Sequence, residues 1–154
     1  HKKLAEWEAE GRLKAVITQN IDGLHQASGS RNVLELHGSV HRNHCQRCGK
    51  FYGLEHILRT EGVPRCSCGG IIKPDVVLYE EGLDQGTLEA AVRALAEADM
   101  LMIGGTSLNV YPAAGLIRYY QGHKLVLLNK SPVARDLAAD LVITDPIGET
   151  LAQL

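Results

Sequence analysis

The chain has 154 residues, of which 45% are hydrophobic, 22% charged and only 5% aromatic. These values are typical of one soluble globular domain, and they exclude a disordered chain and a small disulfide-stapled scaffold. The 16 Lys and Arg residues nearly balance 18 Asp and Glu residues, so neither nucleic acid nor a membrane is expected as a partner. The sequence shows no apolar run long enough for a membrane span and no signal peptide, and we expect a cytoplasmic protein.

Helical and strand patterns alternate along most of the chain. Apolar spacing, glycine stops and proline starts predict helices at 2–10, within 20–29, around 88–95, at 113–120, from Ser131 and Pro132 onward, and after Asp145-Pro146. Continuous apolar runs predict strands at 15–18, 75–79, 100–103, 125–128 and 141–143. Strands that are apolar throughout indicate a parallel sheet covered on both faces, so we predict a doubly wound α/β fold.

Residues 39–72 interrupt this alternation with many glycines and few apolar side chains, which predicts an inserted module. The module holds all four cysteines of the chain: Cys45, Cys48, Cys66 and Cys68. Their spacing is close to that of zinc ribbons, although the second pair is one residue short. Four thiolates fill a tetrahedral Zn²⁺ site, so the zinc is expected to be structural. There are two alternatives. In the first, His41 or His44 replaces one cysteine as a ligand, and in the second the four thiols bind no metal.

Polar side chains gather in three places: 18–25, 36–39 and 104–107. Ligands of open α/β sheets bind at the carboxyl ends of strands, so these positions form a candidate site. Glycines in the last group would let backbone amides approach a phosphate. Each of these residues also has a structural interpretation. Asn20 and Asp22 could simply cap a helix, and His37 could simply make a structural hydrogen bond.

Taken in this order, the motifs resemble the sirtuin family of NAD-dependent protein-lysine deacylases. The resemblance spans the whole chain, is greatest to bacterial members, and rests on T-Q-N-I-D-G-L-H at 18–25, L-H-G at 36–38, the cysteine pairs, K-P-D-V-V-L-Y-E-E at 73–81, G-T-S-L-N-V-Y-P-A-A at 105–114 and L-L-N-K at 127–130. It implies a Rossmann-like NAD-binding domain at 1–38 and 73–154, with a zinc-binding module at 39–72.

The resemblance also implies roles for individual residues. His37 would be the general base that takes a proton from the cofactor ribose, a task suited to imidazole, and Asn20 would assist catalysis. The implied NAD contacts are Gln19, Asn20, Ile21, Asp22, Gly105, Thr106, Ser107, Asn129, Lys130, Ser131 and Ile147. The backbone of Val77, Leu78, Tyr79, Glu80 and Glu81 would pair with an acylated-lysine peptide as an added strand. The implied reaction transfers the acyl group from lysine to ADP-ribose and releases nicotinamide.

Two departures from the family pattern affect these expectations. Many relatives have Gly where this chain has Glu80, and aromatic residues at Leu78 and Tyr79, so peptide preference is expected to differ. The family's initial strand and glycine-rich G-A-G-x-S loop are missing, so we expect a fragment that is inactive by itself. The alternatives are a non-enzymatic, zinc-stabilised interaction module and a nicotinamide or flavin oxidoreductase, which would need its own glycine fingerprint.

Overall fold

A computed structural model describes residues 1–131 and 138–154. Its α-helices are α1 (Lys2–Ala9), α2 (Leu24–Ala27), α3 (Leu54–Leu58), α4 (Gln85–Ala96) and α5 (Ile147–Ala152), and Ala113–Tyr119 form a 3₁₀ helix. The strands are β1 (Val16–Thr18), β2 (Val33–Glu35), β3 (Gly38–Cys45), β4 (Phe51–Gly53), β5 (Ile72–Val76), β6 (Met100–Gly104), β7 (Lys124–Leu128) and β8 (Leu141–Ile143).

The parallel strands form two sheets in the described ranges. One pairs β1 with β2, and the other has the order β6-β7-β8. Helices alternate with these strands, which confirms the α/β, Rossmann-like prediction, although the single sheet expected from the pattern is present as two pieces. Strand β2 is not evident in the sequence, because Val33–Glu35 has only two consecutive apolar residues, fewer than the runs that predict the other parallel strands.

A shared apolar core joins the two parallel sheets. Ala91 and Leu95 of α4 are buried against Leu36, which follows β2, and against Ala113 and Leu116 of the 3₁₀ helix. The small alanine side chains let these elements approach closely, as the alanine-rich pattern of 88–95 predicts. The carboxyl ends of β1, β2 and β6 are thereby held in one body.

The third sheet is antiparallel, with the order β4-β3-β5, and belongs to the cysteine-rich region. Its small core consists of Cys45, Cys66 and Ile72. The predicted strand at 75–79 is wrong at both ends and in its sheet, since β5 runs from Ile72 to Val76 and pairs antiparallel with β3. After Val76 the chain turns, with the N–H of Glu81 donating to the Leu78 carbonyl.

One further expectation differs from the structure, since the helix predicted at 113–120 is a 3₁₀ helix. The short helix predicted within 20–29 is present as Leu24–Ala27. The helix predicted from Ser131 and Pro132 lies beyond Ser131, outside the described residues. Among the helices that are described, none is long and apolar enough to cross a bilayer.

Candidate functional site

The candidate base His37 is the second residue after β2, beside the carboxyl end of β1. Its Nδ1 is 3.1 Å from the backbone oxygen of Gln19, the first residue after β1. A carbonyl oxygen only accepts hydrogen bonds, so Nδ1 carries the proton and donates. In the neutral ring Nε2 therefore holds the free lone pair, which is the form that a general base requires.

The loop from Gln19 to Gly23 places several predicted cofactor residues at this edge of the sheet. Asp22 Oδ1 accepts a 3.0 Å hydrogen bond from the N–H of Leu24, so this side chain supports the first turn of α2 as well as facing solvent. Asn20 is exposed, and its N–H donates to Thr18 Oγ1 at 3.1 Å. The loop therefore has a defined backbone with polar side chains open to a ligand.

The glycine-containing loop after β6 forms a second part of the candidate site. Gly105 has a φ of +62°, and a Cβ built there would meet no atom within 4 Å, so open space lies beside its backbone. Its N–H donates to the Leu128 carbonyl at 3.1 Å. Thr106 Oγ1 accepts from the Leu108 N–H at 3.2 Å, and Ser107 is exposed. This open, polar backbone can accommodate part of a nucleotide.

Residues after β7 and at the start of α5 border the same loop. Asn129 Nδ2 donates to the Ser131 carbonyl at 2.7 Å, and the neighbouring Lys130 is exposed. A Cβ at Gly104 would lie 2.6 Å from Ile147 Cδ1, so the Ile147 side chain packs directly on the glycine next to Gly105. The structure thus brings Ile147 to the end of β6, although the two are far apart in sequence.

The predicted peptide segment, Val77–Glu81, begins at the backbone of His37. The Val77 N–H donates to the His37 carbonyl at 3.0 Å. Glu81 Oε2 accepts from the Leu78 N–H at 2.8 Å, and this hydrogen bond lowers the pKa of the Glu81 carboxyl. Tyr79 is completely exposed. The segment is therefore anchored at both ends and open in its middle.

Glu80 in this segment has a φ of +71°, in the left-handed region that favours glycine. This conformation gives a physical reason why glycine suits the position.

The four cysteine sulfurs form one compact group, with all Sγ atoms within 4.8 Å of one another. Cys45 and Cys68 are 3.5 Å apart, and Cys48 and Cys66 are 3.6 Å apart. Sulfurs bound tetrahedrally at about 2.3 Å from zinc lie about 3.8 Å from each other, so the group fits Zn²⁺.

Hydrogen bonds prepare one of these sulfurs for metal binding. The backbone N–H of Cys68 and the Tyr52 hydroxyl, 3.0 Å from Cys66 Sγ, lower the pKa of the Cys66 thiol to about 5. The thiolate is the form that binds zinc.

Neither candidate histidine ligand belongs to the cysteine group in the part of the chain that is described. His44 Nδ1 lies 2.8 Å from Asp75 Oδ1, and His41 Nε2 lies 2.9 Å from the Asp22 carbonyl oxygen. The geometry favours the four-cysteine ligand set over the histidine alternatives.

Two residues of this region were missed from the sequence. Gly38, the first residue of β3, has a φ of +78°, and a Cβ there would overlap the Asp75 carbonyl oxygen. Only glycine therefore fits at this position, next to His37. Its place within L-H-G was the available signal. Tyr52 gave none, because its contact with Cys66 depends on β4 folding against the cysteine group.

Comparison with known proteins identifies what the chain is similar to. The model of the Sir2 family matches residues 1–112. An NAD-dependent protein deacetylase of Clostridium acetobutylicum is 61% identical over 98% of this chain, and one of Clostridium perfringens is 59% identical over 100% of it. The chain spans only 62% and 64% of those relatives' lengths.

Solved structures are similar in fold to this chain. The structure described as "Sir2-p53 peptide-NAD+" has a TM-score of 0.91 at 40% identity and covers 99% of this chain, which spans 66% of it. The structure described as "Sir2 bound to acetylated peptide" has a TM-score of 0.90 at 39% identity, with coverages of 99% and 67%.

Proposed function

The chain belongs to the Sir2 family, and from this premise we propose that it forms part of an NAD-dependent protein-lysine deacetylase. The observation that carries the proposal is the position of His37. Its Nδ1 is held by the strand-end loop at Gln19, while its backbone oxygen holds Val77, the first residue of the peptide segment. The candidate base thus lies between the polar, open carboxyl edge of the strands and a segment that can bind an extended peptide.

NAD fits the open edge by the chemistry of its donors. Gly105 leaves space for a phosphate or ribose next to its backbone, Thr106 and Ser107 add hydroxyl groups, and Ile147 offers an apolar surface for adenine. Asn129, Lys130 and Ser131 would bind the adenosine ribose end.

At the other end of the cofactor, Gln19, Asn20, Ile21 and Asp22 would hold the nicotinamide ribose and carboxamide. When bound, NAD supplies a labile bond to nicotinamide and the ribose hydroxyls that receive the acyl group.

His37 would act through Nε2. With Nδ1–H donating to a fixed carbonyl, the ring cannot rotate freely, and Nε2 remains available to accept a proton from a ribose hydroxyl. Asn20 would orient the water that the reaction consumes. The overall change converts acyl-lysine, NAD and water into lysine, nicotinamide and O-acyl-ADP-ribose.

The acyl-lysine peptide would pair with the backbone of Val77–Glu81. An extended peptide binds an open strand mainly through main-chain hydrogen bonds, which explains weak selection of side chains. Selection among peptide side chains would come from contacts with the exposed side chains of Leu78 and Tyr79.

The cysteine group would hold a structural zinc ion that stabilises residues 39–72 as a module, leaving 1–38 and 73–154 for NAD. Four cysteine ligands would fill all four coordination positions of a tetrahedral zinc ion, so none would be left for a reacting water. We also propose a cytoplasmic location, because unpaired thiols persist in reducing compartments.

The test is mass spectrometry of an acetyl-lysine peptide incubated with NAD. The chain is tested alone and fused to the part of the Clostridium acetobutylicum relative that it does not cover, because it spans only 62% of that relative. The fusion is expected to release free lysine and O-acetyl-ADP-ribose. The His37→Ala variant should lose this activity and keep its zinc, whereas His123→Ala, at an exposed position, should keep both.

Failure of the fusion on acetyl, longer and acidic acyl peptides would contradict the enzyme assignment. It would instead favour the non-enzymatic interaction module.

A further inference from the structure

A bulge in β3 connects the cysteine-rich sheet to the candidate NAD loop. β3 pairs with β5 at Ser39 and again at Asn43, but the register shifts between these positions. The three residues of the shift, Val40, His41 and Arg42, turn from β5 toward the β1-β2 sheet. Bulges of this kind re-aim side chains next to functional sites.

Each of these three residues makes a hydrogen bond across the boundary. The Val40 N–H donates to the Ile21 carbonyl at 3.1 Å. His41 Nε2 lies 2.9 Å from the Asp22 carbonyl oxygen. Arg42 Nη1 lies 2.8 Å from Glu35 Oε2, in an ion pair whose glutamate side chain is only 7% exposed. Ile21 and Asp22 belong to the loop proposed to hold nicotinamide, so the bulge reaches the site itself.

The His41 ring is also in close contact with the backbone of this loop. A Cβ at Gly23 would lie 2.8 Å from the His41 ring, and Gly23 has a φ of +70°. The His41 N–H donates to Ser39 Oγ at 3.2 Å, and Ser39 is only 2% exposed, so the backbone that carries the ring is itself anchored. Because the Asp22 carbonyl can only accept, Nε2 of His41 carries a proton and donates.

We propose that His41 is a positioning residue, which holds the turn at Asp22 and Gly23 in the conformation that binds NAD. The inference rests on the proposed function. Removal of the imidazole would free the Asp22 carbonyl and open space beside Gly23, and the Asp22 side chain would lose its fixed direction. The metal-stabilised sheet would then affect NAD binding through one side chain rather than through the fold as a whole.

The test compares His41→Ala, His41→Gln and the control His123→Ala in the fused protein. Loss of one hydrogen bond predicts a rise of about fivefold in the KM for NAD with His41→Ala, with little change in kcat. His41→Gln keeps a donor and should recover most of this loss. Zinc content should equal that of the unsubstituted protein in all three variants, and Tm should fall by no more than the few degrees that one lost hydrogen bond accounts for, which separates positioning from a structural role.

Amide hydrogen exchange in the unfused chain supplies a readout that needs no activity. The Leu24 N–H, which donates to Asp22 Oδ1, should exchange faster in His41→Ala than in the His123→Ala control.

An unchanged KM and unchanged exchange would overturn the proposal, as would loss of zinc or a large fall in Tm. If no fused protein deacetylates any peptide, the proposed function fails, and the exchange result still decides whether His41 holds the loop.

Discussion

The substitution Gly38→Ala tests the junction between the candidate base and the peptide segment. Gly38 has a φ of +78°, and an added Cβ would overlap the Asp75 carbonyl oxygen, a backbone atom that cannot rotate away. Gly38 is paired with Val76 in the antiparallel sheet, and Val77 donates to His37 immediately beside it. Any shift that relieves the overlap therefore moves these backbones apart.

The expected loss of stability has two parts. An alanine with left-handed φ costs about 1 kcal/mol relative to glycine. Overpacking against a fixed backbone adds about 1–3 kcal/mol. We expect Gly38→Ala to lower the free energy of unfolding by about 2–4 kcal/mol, the sum of the two parts.

A matched control separates these parts. Gly11 has a φ of +75°, and a Cβ there would meet nothing within 4 Å, so Gly11→Ala should show only the backbone cost. Urea denaturation of both variants, monitored by circular dichroism, measures the difference. If Gly38→Ala is no more destabilising than Gly11→Ala, the overlap with Asp75 does not exist in solution and the reasoning is refuted.

Two further substitutions test hydrogen bonds to charged groups. Tyr52→Phe removes only the hydroxyl that donates to Cys66, and zinc affinity measured by chelator competition should fall about 10–100-fold. The backbone N–H groups of Arg31 and Asn32 donate hydrogen bonds to the Glu8 carboxylate, and these bonds lower the pKa of Glu8. Glu8→Gln weakens these hydrogen bonds because it removes the negative charge of the acceptor. Because the pKa of Glu8 is lower in the folded than in the unfolded chain, the ionised carboxyl stabilises the fold at pH values above its unfolded pKa, about 4.3. This stabilisation is lost as the pH falls through the pKa of the folded state. The Tm difference between Glu8→Gln and the unsubstituted chain should therefore be present at pH 7 and vanish in acid.

Exposed residues of the same types serve as controls for these two predictions. Tyr79→Phe should leave zinc affinity unchanged, since Tyr79 is completely exposed. Glu61→Gln should leave the Tm unchanged at every pH, since Glu61 is an exposed glutamate. Equal affinities for Tyr52→Phe and Tyr79→Phe would show that the hydroxyl does not act on Cys66. A Tm difference for Glu8→Gln that persists in acid would rule out the charge of Glu8 as its cause.

Local patterns in the sequence were sufficient for several elements. Strands β6 and β7 were predicted because each contains a continuous apolar run, and helix α4 because it is long enough to show a helical hydrophobic period. Strand β2 and the end of β5 at Val76 were not, because their limits depend on pairing with distant segments. The split of the parallel sheet into two pieces is likewise invisible in any single segment.

The sequence by itself determined the family resemblance, the α/β alternation and the group of four paired cysteines, because these are properties of residue types at fixed spacings. Tertiary structure alone decided which ring nitrogen of His37 is left without a proton. That depends on a hydrogen bond to the Gln19 carbonyl, which follows the neighbouring strand. It also decided that the Tyr52 hydroxyl donates to Cys66 Sγ and that His41 contacts the Asp22 carbonyl rather than the cysteine group. Hydrogen bonds act over about 3 Å, and only folding brings atoms from distant parts of the chain that close.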